Sequence, residues 1–226
     1  MKAIRSFCIL LLCFGLLGIH GNEVFGQQPD TIRLNKLELK RGAKKVFDSK
    51  NRDSVLFLQI DTLIMKDRSS LQFFGIKKVN LLVNHAEVGK RVYFSGRSQQ
   101  NNASDMDISI KFDKLGSLFV MADGYDASNG FRTDPNGDGG NVKFVYSSDG
   151  IHPQQQQSKD QNYLHINTLS GGRHVNATAD VQRIMDHIRR SSVGLRGLPQ
   201  GQVYSGSSGS DGKFEVSARP GDPKSW

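Results

Sequence analysis

The residues of this chain best suited to chemistry are oxygen donors. Asp123, Asp126, Asp134, Asn136 and Asp138 fall within one short stretch. Asp134-Pro135-Asn136-Gly137-Asp138-Gly139 matches the opening of an EF-hand-type loop. Such loops place oxygen ligands at the first, third and fifth positions and a glycine at the sixth, where the chain turns sharply. Hard oxygens of this kind select Ca2+ over softer metals. The twelfth position should be an acidic residue that grips the ion with both oxygens, and here it is Val145. The leading reading is that Asp, Asn and Gly are there for turn geometry, and the alternative is a weak Ca2+ site built from the five residues.

Other chemistries find less support. His85, His152, His165, His174 and His187 lack the paired spacings of a zinc site. No nucleophile elbow, phosphate-binding loop or dinucleotide fingerprint stands before a helix. No catalytic residues and no organic cofactor are therefore expected. Asp105 and Asp107 are two apart, so they share a face of any extended strand that holds them.

The elements that must position these residues are short strands. Apolar residues alternate at Leu56, Leu58 and Ile60, at Val79, Leu81 and Val83, and at Ile108, Ile110 and Phe112. The same pattern recurs at Leu118 and Val120, at Val142, Phe144 and Tyr146, at Leu164 and Ile166, and at Phe214 and Val216. A period of two means one face inward and one outward. After Ile60, Thr62 and Ile64 are expected to continue the inward face, with Leu63 and Met65 pointing away. Turn-rich stretches separate the runs at Asp67 to Ser70, Gly89-Lys90 and Gly124 to Gly140. Two architectures suit such a chain, a β-solenoid or a β-sandwich. Strand centres at Ile60 and Leu81, then at Val120, Phe144 and Ile166, are separated by 21, 24 and 22 residues, a repeat within the range of a solenoid coil.

I-S-I-K-F from Ile108, G-S-L-F-V-M-A-D-G from Gly116 and G-D-G-G-N-V-K-F-V-Y from Gly137 resemble the coils of exported bacterial right-handed parallel β-helix proteins. The resemblance covers roughly Ser54 to Gly171 and rests on composition. It implies a scaffold, since such folds serve adhesins, autotransporter passengers and polysaccharide lyases alike. In the lyases, carboxylates bind Ca2+ and a basic residue removes a proton beside a uronate carboxylate. The corresponding set here would be Asp105, Asp107 and Asp123, with Arg132 or Lys111 as base.

The remainder of the chain sets the context. Lys2 and Arg5 precede an apolar run, Phe7 to Ile19, and Val24-Phe25-Gly26 offers a small-residue cleavage site. That is the pattern of an export signal over 1–26, with a mature start near Gln27. Both cysteines, Cys8 and Cys13, lie inside it, so the mature chain would hold no disulfide. Export without cysteine fits a Gram-negative periplasm, outer surface or extracellular space. The expected order is an N-terminal segment 27–50, a β-rich body 51–175, an amphipathic helix 176–193, and a loop, final strand and tail over 194–226. The helix is read from Val181, Ile184, Met185 and Ile188, which share one face. Its apolar stripe is expected to dock on the β body. The net charge of +8 points to an acidic partner, with Lys40, Arg41, Lys44 and Lys45 clustered early. No later apolar run is long enough to span a membrane, and nucleic acid is not an expected partner of an exported chain. The leading expectation is a non-catalytic β-rich scaffold that binds a cell-envelope glycan or an outer-membrane protein. A lyase-like, Ca2+-dependent polysaccharide enzyme and a structural subunit of an outer-membrane complex are the alternatives.

Overall fold

A computed structural model describes residues 30–49, 54–127, 135–158, 161–173 and 208–221, with Thr178, Val181, Gln182, Met185, Asp186 and Arg189. The expected export segment, most of the expected helix over 176–193, Asp134 and Arg132 lie outside these residues.

The alternating runs form eleven strands in two parallel sheets. The first sheet holds β1 (Asp30–Leu39), β3 (Ser54–Met65), β5 (Ile76–Val88), β7 (Asp105–Leu115), β9 (Val142–Ser147) and β11 (Phe214–Arg219), in that spatial order. The second holds β2 (Lys44–Asp48), β4 (Ser70–Phe74), β6 (Val92–Arg97), β8 (Ser117–Met121) and β10 (Tyr163–Asn167). Successive strands alternate between the sheets, and every pairing between them is parallel. The fold is a β-solenoid, and the sandwich alternative falls away. Each coil gives one strand to each sheet, and the core lies between the sheets.

Side chains stack from coil to coil in continuous ladders. Ile32, Leu58, Leu81, Ile108, Phe144 and Val216 occupy one such ladder across the whole first sheet. Leu58, Leu81, Ile108 and Phe144 are buried in the core. Each such side chain contributes about 1.5–3 kcal/mol by leaving water. Phe47 stacks on Phe73 at 5.8 Å between ring centroids, and Phe112 on Phe144 at 6.2 Å.

The first-sheet strands carry a slip that strict alternation does not foresee. In β3, Leu56, Leu58 and Ile60 are buried, and so are Leu63 and Met65. Asp61 and Thr62 face outward together, so Thr62 and Ile64 do not continue the inward face; Leu63 and Met65 do. β5 slips likewise at Asn84 and His85, and β7 at Asp113 and Lys114. β7 slips one ladder position later than β5, which accounts for the register shifts on either side of Ala86.

The coil repeat also differs from the expected one. Ile60 and Leu81 lie on neighbouring strands, but Leu81 pairs with Leu58, a step of 23 residues. Val120 and Ile166 belong to the second sheet and Phe144 to the first, so those gaps join different sheets. From Phe144 to Val216 the step is 72 residues.

Candidate functional site

On strands of this kind, aromatic side chains belong to the inward phase. Tyr93, Phe119, Tyr163 and His165 instead occupy the outward phase of β6, β8 and β10. Register places them side by side: Tyr93 pairs with Phe119, Phe119 with His165, and Tyr163 with Ser117. Tyr93 stacks on Phe119 at 5.2 Å with 23° between the rings. Tyr163 meets Phe119 edge-on at 5.7 Å, and His165 lies 5.8 Å from the same ring. The Tyr163 and His165 rings are stacked, nearly parallel at 13°, with centroids 6.3 Å apart. His165 is exposed and the other three are half-buried. Three coils thus build one aromatic platform on the outer face of the second sheet, its rings stacked or tilted on one another. Sequence reasoning missed it; the signal was an aromatic on the polar phase at Val92-Tyr93-Phe94, Leu118-Phe119-Val120 and Tyr163-Leu164-His165.

The oxygen cluster serves the loops that carry the chain from the second sheet back to the first. Asn136 Oδ1 accepts from the Ala127 N–H at 2.7 Å. Asp126 Oδ1 accepts from Gly172 at 2.6 Å, and Asp138 Oδ1 from Ser210 at 2.7 Å. Asn136 and Asp126 meet around Gly172, whereas Asp138 reaches toward a later loop. Asp123 follows β8, and burial pushes its carboxyl above the ordinary range. Among the described residues no three His, Cys, Asp or Glu side chains converge as a metal site.

What these loops share is close backbone packing. The segment 135–141 exchanges backbone hydrogen bonds with four others: Gly137 N–H donates to Tyr125, Ala103 N–H to Asp138, Gly171 N–H to Gly137, and Gly139 N–H to Ser210. A flat strand reaches only two neighbours, so this is a bundle of extended segments. A Cβ on Gly137 would collide with the Asn101 carbonyl, and one on Gly124 with the Gly137 carbonyl. Glycine is required there for the reason collagen requires it at its crowded axis. Asp211 pins the bundle's edge. It accepts from Ser170 N–H at 2.8 Å and pairs with Arg173 at 2.6 Å, contacts that hold its carboxyl at about 2.

Of the set implied by the lyase resemblance, Asp105 and Asp107 enter pairings on β7, Asp123 follows a strand of the other sheet, and Arg132 lies outside the described residues. Asp105 and Asp107 do share the outer face of β7. Asp105 Oδ1 accepts from the Asn141 N–H at 2.7 Å, and Asp107 pairs with Lys78 at 2.8 Å. They border a shallow pocket of about 290 Å³ with Lys143, Lys213 and Glu215. Asp123 leaves the end of a strand in the other sheet. His85 and Asp113 form a half-exposed pair at 3.1 Å on the open face of the first sheet.

No protein-family model, no curated protein and no solved structure matches the chain.

Proposed function

We propose that this chain is an exported β-solenoid scaffold that binds a cell-envelope glycan on the outer face of its second sheet. The observation that carries the reading is the platform of Tyr93, Phe119, Tyr163 and His165. The apolar C–H face of a pyranose ring packs on flat aromatic rings, which offer large contact area at low entropy cost. Among the described residues thirty hydrophobic side chains form the buried core, and an aromatic patch left outside it supports a binding surface. The reading needs no bond-breaking residue and no cofactor.

The test is affinity electrophoresis through gels holding soluble polysaccharides. Wild type should be retarded, and Tyr93→Ala/Phe119→Ala should run as in an empty gel. Both side chains are partly exposed and face away from the core, so melting should be little changed. Retardation equal in variant and wild type would remove the platform from the function.

One observation favours a second role, as a subunit docking on an outer-membrane protein. Val181 and Met185, on the expected apolar stripe, are 45% and 50% exposed rather than covered by the β body. Val181→Asp/Met185→Asp should then abolish co-purification with detergent-solubilised outer-membrane protein freed of glycan, while leaving glycan retardation intact.

A further inference from the structure

The tight turns that lead from the first sheet into the second repeat a backbone conformation. Gly42, Arg68 and Arg91 have φ of 69°, 61° and 58°. Lys44 pairs with Ser70 and Ser70 with Tyr93, so the three residues two positions earlier stand one above another. Backbone bonds confirm the stacking: Gly42 N–H donates to Asp67, and Arg68 N–H to Lys90. Left-handed backbone suits Gly and costs other residues about 1 kcal/mol or more each. The first turn has Gly; the next two have arginine, where Asn or Gly would relieve the strain. Strain retained at the root of a charged side chain points to what that side chain does.

These arginines are exposed, with Lys66 and Lys90 beside them and Lys40 and Arg41 in the turn below. Among the described residues no salt bridge joins a carboxylate to any of the six side chains, although Glu38, paired with Lys36, lies near enough to Lys66 and Lys40 for their charges to lower its carboxyl. Asp67, the acid of the ridge, turns a carboxylate oxygen onto the Lys90 backbone N–H at 2.8 Å. The result is a patch of cations at the stacked turns, in which Arg68 and Arg91 stand one strand spacing, roughly 4.8 Å, apart along the coil axis.

The patch runs directly into the aromatic platform. Arg91 precedes Val92, whose partner is Leu118, and its N–H bonds Ser117 Oγ at 2.7 Å. The outward row therefore reads Gly42, Arg68, Arg91, Ser117, Tyr163 from coil to coil. The row beside it reads Lys44, Ser70, Tyr93, Phe119, His165. Cations occupy the lower coils and aromatic rings the upper ones, on one continuous face. A planar anionic surface would meet only the crest of such a ridge. A linear polymer carrying regular anionic groups can follow both rows.

We infer that the ligand is a linear acidic polysaccharide, lying along the coil axis with sugar faces on Tyr93, Phe119 and Tyr163 and anionic groups on Arg68 and Arg91. This rests on the glycan reading above and adds the charge of the ligand and the direction in which it lies.

The experiment compares carboxymethylcellulose with hydroxyethylcellulose, an acidic and a neutral polymer on one linear backbone, using wild type, Arg68→Asn/Arg91→Asn and Phe119→Ala. Asn tolerates left-handed backbone, so the double variant should melt no lower than wild type. Wild type should bind the acidic polymer at least tenfold more tightly at low salt, with affinity falling as salt rises. Arg68→Asn/Arg91→Asn should remove most of that preference and flatten the salt dependence, leaving the neutral polymer unaffected. Phe119→Ala should weaken both. Equal binding of the two polymers, or an acidic preference that survives the arginine replacements, overturns the inference and leaves the glycan reading standing. Binding of both that ignores Phe119→Ala, or binding of neither, overturns the glycan reading and the inference with it. Tighter binding to duplex DNA or to phosphatidylglycerol vesicles than to the acidic polymer would also overturn the inference.

Discussion

Gly137 and Gly42 show how one residue type answers two different demands. Gly42 has a left-handed φ of 69° and open space around its Cα, so Gly42→Ala meets only backbone strain, about 1 kcal/mol. Gly137 has no room for a methyl group against the Asn101 carbonyl. Gly137→Ala should therefore lower the melting temperature several times more than Gly42→Ala; equal shifts would mean the bundle relaxes freely. The glycines of this stretch were legible in the sequence as turn chemistry, and Asp and Asn do serve as loop pins there. Their packing was not legible, because close approach between 135–141 and loops near residues 101, 125, 171 and 210 is a property of the folded coil. Asp123 gives a second test at this scale. Burial raises its carboxyl, so below the ordinary value of 3.8 it is protonated folded or unfolded and adds no penalty. As pH rises through the folded value, the buried charge destabilises the fold. Asp123→Asn should raise the melting temperature at pH 7, and the gain should vanish by about pH 3. A gain that persists at low pH would assign it to something other than charge. A Ca2+ ion held by the ionised carboxylate would reverse the sign: millimolar CaCl2 would then raise wild type above the variant.

At the scale of elements, the paired outward residues of the first-sheet strands decide which face the rest of each strand presents. Asp61 and Thr62 shift the alternation by one, which turns Leu63 and Met65 into the core. Sequence reading found these strands from their apolar period, yet it carried the period straight through the slip and placed the second half on the wrong face. Two consecutive polar residues look the same in a loop, at a strand end or at a slip; only the stacked neighbours tell them apart. Deleting Thr62 alone should restore strict alternation with Leu63 and Met65 still inward, but one residue out of step with Ala86 and Val88 of β5, which keeps its own slip. The loss should be of the order of a core Leu→Ala change, about 2–5 kcal/mol in urea unfolding. Thr62→Ser, which keeps the register, should stay within about 0.5 kcal/mol. A deletion as mild as the replacement would show that the strand slides back into place. The short strand β2 escaped sequence reading because Phe47 is its one buried side chain, too few to show a period; β4 was missed although it alternates as β8 and β10 do.

At the scale of the molecule, the solenoid was legible because every coil repeats the same problem: an apolar face that only the next coil can cover. Its repeat length was not, since the step from β9 to β11 lengthens without disturbing the ladders. The aromatic platform and the cation ridge escaped for a related reason. Each takes its residues from turns or strands far apart in sequence, and register alone makes them neighbours. Stability in this architecture comes from stacked cores and backbone hydrogen bonds, and the described residues contain no cysteine. If residues 1–26 are removed on export, Cys8 and Cys13 go with them, and no disulfide can form. The exported protein should then begin near Gln27 by mass spectrometry, and its melting temperature should be the same with and without dithiothreitol. Exported protein that still carries Met1 to Gly26, or a melting temperature that falls on reduction, would overturn the export reading and the proposed envelope glycan with it.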